Sequence, residues 1–166
     1  GSVKELIAVE TIVFVLTESG RCTAFSRSTG AQLCTINDCE QMLFIASMFY
    51  NWRDESLIVM YWYPDDKRMG CRSIPIAQLG RFDDSRRLFT SVTGFVEFDD
   101  VSGCVITYLP VDGSSTYAVW DLDDYSQIYA ETDECVREVK LSPGFLLVVR
   151  GSAERPECQV DVASVR

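Results

Sequence analysis

Four Asp-Asp pairs stand along the chain: Asp65-Asp66, Asp83-Asp84, Asp99-Asp100 and Asp123-Asp124. Adjacent carboxylates can bind a hard cation or share acid–base work. Each pair falls in a segment of turn-forming residues, where Asp accepts bonds from nearby backbone N–H groups. No D-x-D-x-D-G loop frames any of them. They are therefore read as turns, and no metal ligand, catalytic residue or cofactor is assigned. Nucleophilic catalysis needs a base beside Ser or Cys. The chain has no His, and its only lysines are Lys4, Lys67 and Lys140. It also has no G-x-S-x-G elbow and no phosphate-cradling glycine loop. The expectation is a protein that is not an enzyme.

Seven cysteines are spread widely: Cys22, Cys34, Cys39, Cys71, Cys104, Cys135 and Cys158. An odd, unpatterned set does not read as a disulfide framework. Most neighbour apolar residues, where Cys packs as a small hydrophobe. Cys34 and Cys39 form the one close pair, and without CxxC or His they do not make a zinc site. Free thiols in a reducing compartment, cytoplasm or nucleus, are expected.

The net charge is −10. Such a chain repels phosphate, and Arg81, Arg86 and Arg87 are interrupted by Asp83 and Asp84 rather than forming a stripe, so nucleic acid is an unlikely partner. A basic protein surface is electrostatically easier. Apolar runs such as Ile12–Leu16 and Phe145–Val149 are five residues and Leu57–Tyr63 is seven, against the roughly 20 that a membrane helix needs, and no signal-peptide pattern opens the chain. Gly1-Ser2 reads as a cloning remnant.

The elements that position these residues are short strands. Apolar runs beginning at Ile12, Leu57, Val105 and Leu146 recur at intervals of 41 to 48 residues. Each is preceded by a short run and a turn, and followed by a turn and an alternating run. Blade-type repeats of four strands span about 40–50 residues. The reading is one domain of four units, about 3–38, 40–92, 94–133 and 135–166. Ile12–Leu16, Leu57–Tyr61, Val105–Leu109 and Phe145–Val149 are their equivalent internal strands. Gly20 and Gly30 punctuate the first unit, with Cys22, Ala24 and Ser26 on one strand face. "YAVWDLDDYSQIYAETD" (Tyr117–Asp133) is the outer hairpin of the third unit. Ala118, Trp120 and Leu122 share its apolar face, which is expected to be the buried one, leaving Tyr117, Val119 and Asp121 on the other. Ile76, Leu79 and Phe82 are compatible with a helical turn that Pro75 and Gly80 keep short. The fourth unit lacks an outer strand, which "VKELIAVE" from the N-terminus could supply in a closed four-unit ring. The runner-up architecture is a β-sandwich or barrel.

The strand ending in Trp120-Asp121, with "LSPG" (Leu141–Gly144) and "VEFDDVSG" (Val96–Gly103) as strand-linking turns, resembles the WD-repeat superfamily of β-propellers, in particular uncharacterised eukaryotic WD-repeat-like proteins. The resemblance covers essentially the whole chain. It implies all-β, four-stranded antiparallel blades forming part or all of a propeller, and a scaffolding role. The chain departs from the pattern: the Trp-Asp pair occurs once and Gly-His is absent, so the Asp–His–Ser–Trp network of regular repeats cannot form.

Aromatic residues gather at Phe49, Tyr50, Trp52 and Tyr61–Tyr63. Most are read as core. Three successive aromatics must point to both faces of a strand, and Trp52-Arg53 falls in a turn. Because Tyr, Trp and Arg are frequent interface anchors, Trp52, Arg53, Tyr63, Lys67 and Arg68 are the candidate partner-binding residues. The expected function is a non-catalytic protein-interaction scaffold. The partner is a protein, or the remainder of a larger propeller, or a second chain completing exposed edges. The alternative is a small-molecule-binding or enzymatic domain using a propeller channel.

Overall fold

The computed structural model describes residues 1–38, 44–63, 68–80, 85–109, 114–134, 136–152 and 155–165. Among them there is no α-helix. The described residues form fifteen strands in four antiparallel sheets, plus two single-turn 3-10 segments, Ile36–Asp38 and Ile76–Gln78. The second of these is the short turn expected between Pro75 and Gly80.

Sheet 1 takes β1 (Val3–Ala8), β2 (Ile12–Thr17), β3 (Cys22–Ser26) and β4 (Gln32–Thr35) in chain order. Sheet 2 takes β5 (Ile45–Asn51), β6 (Ser56–Trp62), β7 (Met69–Pro75) and β8 (Arg86–Thr93). Sheet 3 takes β9 (Phe95–Asp99), β10 (Cys104–Leu109), β11 (Ser115–Asp121) and β12 (Gln127–Asp133). Sheet 4 has three strands, β13 (Val136–Ser142), β14 (Phe145–Ser152) and β15 (Arg155–Ser164). The four apolar runs are thus β2, β6, β10 and β14, the second strand of each sheet, bonded on both sides. Continuous apolar character suits β6 and β10, which are buried on both faces, whereas β2 alternates buried and half-buried residues and β14 starts at the exposed Phe145. The sandwich and barrel alternatives fall, since the strands form four successive sheets.

The chain divides into two compact units, Gly1–Ser91 and Val92–Arg166. In the first unit, Phe14, Leu16, Cys22 and Ala24 of sheet 1 pack with Ile45, Leu57, Val59 and Tyr61 of sheet 2. In the second unit, Cys104, Ile106, Tyr117 and Val119 of sheet 3 pack with Val139, Leu141, Leu146 and Val148 of sheet 4. A glutamate on the first strand stitches each pair of sheets. Glu5 Oε1 accepts from Ser47 Oγ at 3.0 Å and from the Met48 N–H at 3.5 Å. Glu97 Oε2 accepts from the Leu141 N–H at 3.2 Å. Both are the third residue of their strand, so the polar stitch repeats along with the apolar packing.

Two expectations are corrected. Val3–Ala8 does not complete the last sheet: it is β1, paired along its length with β2, Leu6 opposite Val15. Ile7 of this strand packs into the first core, which ties it to sheet 1. Nor is the Ala118–Trp120–Leu122 face the only buried one. Tyr117 and Val119, assigned to the other face, are 2% and 1% exposed and belong to the core, while Trp120 is partly exposed. Strict alternation marks a buried face only when the opposite face is wet; β11 is covered on both.

Candidate interaction site

The β5–β6 turn is built around Asn51, which is fully buried. Its Oδ1 accepts from the Arg53 N–H at 3.3 Å and from the Arg53 guanidinium at 3.5 Å. The guanidinium carbon lies 4.6 Å from the centre of the Trp52 ring, within cation–π range. Glu55 closes the turn at φ 52° and its carbonyl accepts the Ile76 N–H at 3.0 Å. Trp52 is 59% exposed. A buried amide therefore orders an arginine, and the arginine orders an exposed indole. The pair is held in place before any partner arrives, which lowers the ordering cost of binding.

Tyr63 and Arg68 lie at the opposite end of β6. The seven residues of this strand separate the two turns by roughly 20 Å at about 3.3 Å per residue. Tyr63 is half-buried and packs edge-on against Tyr61, with ring centres 5.6 Å apart. Its N–H donates to the Arg68 carbonyl at 3.2 Å, and Arg68 is exposed. Lys67 lies outside the described residues, as do Asp65, Asp66, Arg81, Asp83, Asp84, Cys39 and Cys135. The structure thus brings Trp52 and Arg53 together and leaves Tyr63 and Arg68 at a separate turn.

Of the two described Asp-Asp pairs, Asp99-Asp100 spans the end of β9 and the turn after it, and Asp123-Asp124 lies in a turn. Asp99 accepts from the Val101 N–H at 3.1 Å, from the Ser102 hydroxyl and from the Gly144 N–H at 3.2 Å. Burial opposes its charge, but these bonds outweigh burial and hold its carboxyl below the ordinary range. At the next pair, the Asp123 N–H donates to Asp121 Oδ1 at 2.8 Å, and Asp124 Oδ1 accepts from the Ser126 N–H at 2.9 Å. Asp99, Asp121 and Asp124 each accept from the chain's own backbone.

A feature the sequence did not reveal lies in the second unit. A cleft of about 470 Å³ is floored by apolar residues, among them Val119, Leu146 and Ala163. On its wall Arg150 binds three carboxylates: Glu131 at 3.2 Å, Asp161 at 2.8 Å, and Asp133. The Tyr117 and Tyr129 phenols both donate to Glu131 Oε2. These two hydrogen bonds lower the Glu131 pKa, with Arg150 adding to them. Burial, then the bond to Glu131, pushes the Tyr117 phenol up. Glu131 and Asp133 lie on β12, Arg150 on β14 and Asp161 on β15, three segments with no common motif. The one local signal was Arg150 ending the apolar run of β14. Among the described residues, no group of His, Cys, Asp or Glu has an arrangement that could hold a metal.

Successive antiparallel sheets of this kind define a β-propeller-type chain, and solved structures agree. A computationally designed protein, Ika4, superposes at TM-score 0.51 with 15% identity, over 99% of this chain and 92% of that one. The β-propeller domain of the Trilobed protease from Pyrococcus furiosus, described as having an open velcro topology, gives 0.57 with 8% identity over 97% and 53%. The AfRom2 CNH domain gives 0.59 with 16% identity over 95% and 54%. The chain spans about half the length of these last two. Residues 1–165 match the model of a domain of unknown function, DUF7899, and the chain belongs to that family. No curated protein matches it.

Proposed function

We propose that the chain is a non-catalytic protein-interaction scaffold built on a WD-repeat-like propeller, working in the cytoplasm or nucleus. The observation that carries this reading is the Trp52–Arg53 stack, an exposed aromatic and a cation fixed by the buried Asn51. Tryptophan and arginine dominate interface energetics when a partner desolvates them. The net charge of −10 favours a basic partner surface. The cleft beside Arg150 favours the small-molecule alternative less. Its carboxylates converge on one guanidinium and its two phenols on Glu131, so its polar groups are already engaged with one another.

Affinity capture from the native cell with parent and Trp52→Ala proteins, read by quantitative mass spectrometry, tests the proposal. It requires a protein retained by the parent and depleted at least about tenfold by the variant, as losing a hot spot of more than about 1.4 kcal/mol implies. Identical retained sets would refute the assignment of Trp52.

A further inference from the structure

Sheets 3 and 4 of the second unit share a core at their inner strands but leave a gap at their outer ones. Tyr117 and Val119 of β11 are buried and pack in one cluster with Leu146 and Val148 of β14. Their cross-strand partners are less covered. Tyr117 pairs with Glu131 and Val119 with Tyr129 on β12. Leu146 pairs with Ala163 and Val148 with Asp161 on β15. Residues directly opposite one another share a face of a sheet, so the β12 and β15 partners border the same space. Tyr129 is 47% exposed, and Ala163 is exposed as well. Ala163 and Ser164 put only small side chains on the β15 wall. The result is the cleft of about 470 Å³, a size common among binding sites.

At one end of this cleft Arg150 meets Glu131, Asp133 and Asp161. Mutual engagement satisfies these groups without cancelling their charge. Three carboxylates against one guanidinium leave the cluster negative. The Asp161 side chain is the most open of the three, at 44% exposed, and a carboxylate can accept more bonds than one arginine supplies. A guest held mainly by its own hydrogen bonds finds few groups here that are not already engaged. An apolar side chain needs none, and a cation beside it is drawn to the carboxylates.

We propose that this cleft takes a segment of a partner protein in which an apolar residue is followed by a basic one. The apolar side chain lies over Val119, Leu146 and Ala163. The lysine or arginine reaches Asp161 and Glu131. Charge complementarity selects this occupant. An acidic segment is repelled, and a second copy of this chain, itself at −10, is disfavoured on the same ground. The surface belongs to the second unit, and the Trp52 turn belongs to the first, so either can fail without the other.

Amide-resolved NMR titration of the 166-residue protein tests the proposal. The probe is a capped octapeptide with one leucine–arginine pair among glycines and serines. The amides of Ile128, Tyr129, Leu146 and Ala163 should shift together, while that of Trp52 stays still. Replacing the arginine of the peptide by glutamate should weaken binding at least about tenfold, and added salt should weaken the parent peptide. Ala163→Trp fills the cleft, and Ile128→Lys brings a repelling cation to it. Each should cost at least about tenfold in affinity. Both positions are exposed, so circular dichroism and melting should remain those of the parent. No shift at the cleft amides, equal binding of the glutamate peptide, or undiminished binding by Ala163→Trp would overturn the proposal. So would the same shifts on raising the concentration of the protein alone, which would assign the cleft to a second copy. Equal shifts with free arginine amide would overturn it too, by making the cleft a site for small cations.

Discussion

Two tryptophans separate the surface of this molecule from its framework. Trp52 is exposed and stacks on Arg53, so Trp52→Ala removes a cation–π contact of about 0.5–1 kcal/mol at an exposed site and shifts the melting temperature by a few degrees at most. Trp120 donates its indole N–H to Thr107 Oγ1 at 2.9 Å and is partly buried on a strand covered on both faces. Trp120→Ala is expected near the lower end of the roughly 3–5 kcal/mol cost of deleting a buried aromatic. Thermal unfolding of both variants checks the order, and a less stable Trp52→Ala would reverse core and surface. The thiols give a second test. Burial pushes Cys22 up to about 12, helped by Cys34 and Glu5, and pushes Cys71 up to about 12. Cys22, Cys34, Cys71 and Cys104 form no disulfide. Cys22, Cys71 and Cys104, all buried, should therefore resist a thiol reagent in the native protein and react on denaturation. Mass mapping that finds any of the three labelled rapidly in the native state would contradict that burial.

At the scale of elements, the cross-strand pair Tyr61 and Gly70 shows how a strand face is fitted. The Tyr61 ring lies over the backbone of β7, where a Cβ on residue 70 would come within 2.5 Å of it. An aromatic covering a glycine opposite it is a recurrent device for pinning register. Gly70→Ala forces the fully buried ring aside and should cost about 1–3 kcal/mol, as overpacking does. Chemical denaturation measures the loss, and an unchanged midpoint would mean that the ring is not held there. The second strands were legible from sequence because five-residue apolar runs between turns have few other uses. The outer hairpin of sheet 3 was legible in its bounds but not in its faces, since Tyr117 carries a hydroxyl and looked like a surface residue. Its hydroxyl is satisfied by Glu131 across the sheet, a pairing that sequence spacing does not advertise. The same limit hid the Arg150 cluster, whose members meet only after three strands have folded. For the expected interface, the turn at Trp52-Arg53 was readable, but the separation of Tyr63 and Arg68 from it depends on the length and direction of β6.

At the scale of the molecule, acid should loosen the second unit through the carboxylates around Arg150 and at Asp99. The folded pKa values of Glu131 and Asp99 lie below the ordinary ones of 4.5 and 3.8. Their stabilisation is therefore present above those values and is lost as pH falls through the lower folded ones, where the unfolded chain already binds the protons. Arg150→Gln leaves Glu131, Asp133 and Asp161 without their shared cation. Its melting temperature should fall furthest below the parent at neutral pH and approach the parent as the pH drops below about 4.5. A gap constant across that range would remove the cluster from the stability of the unit. The molecule is built on four successive sheets, in each of which the second strand is bonded on both sides. Hydrogen exchange resolved by residue tests that arrangement most directly. Amides of β2, β6 and β10, bonded to a strand on each side, should exchange slowest in their sheets, while those of β4 and β12 exchange orders of magnitude faster. Rapid exchange through any one of β2, β6 or β10, with protection moved to its outer neighbour, would contradict the repeated-sheet account.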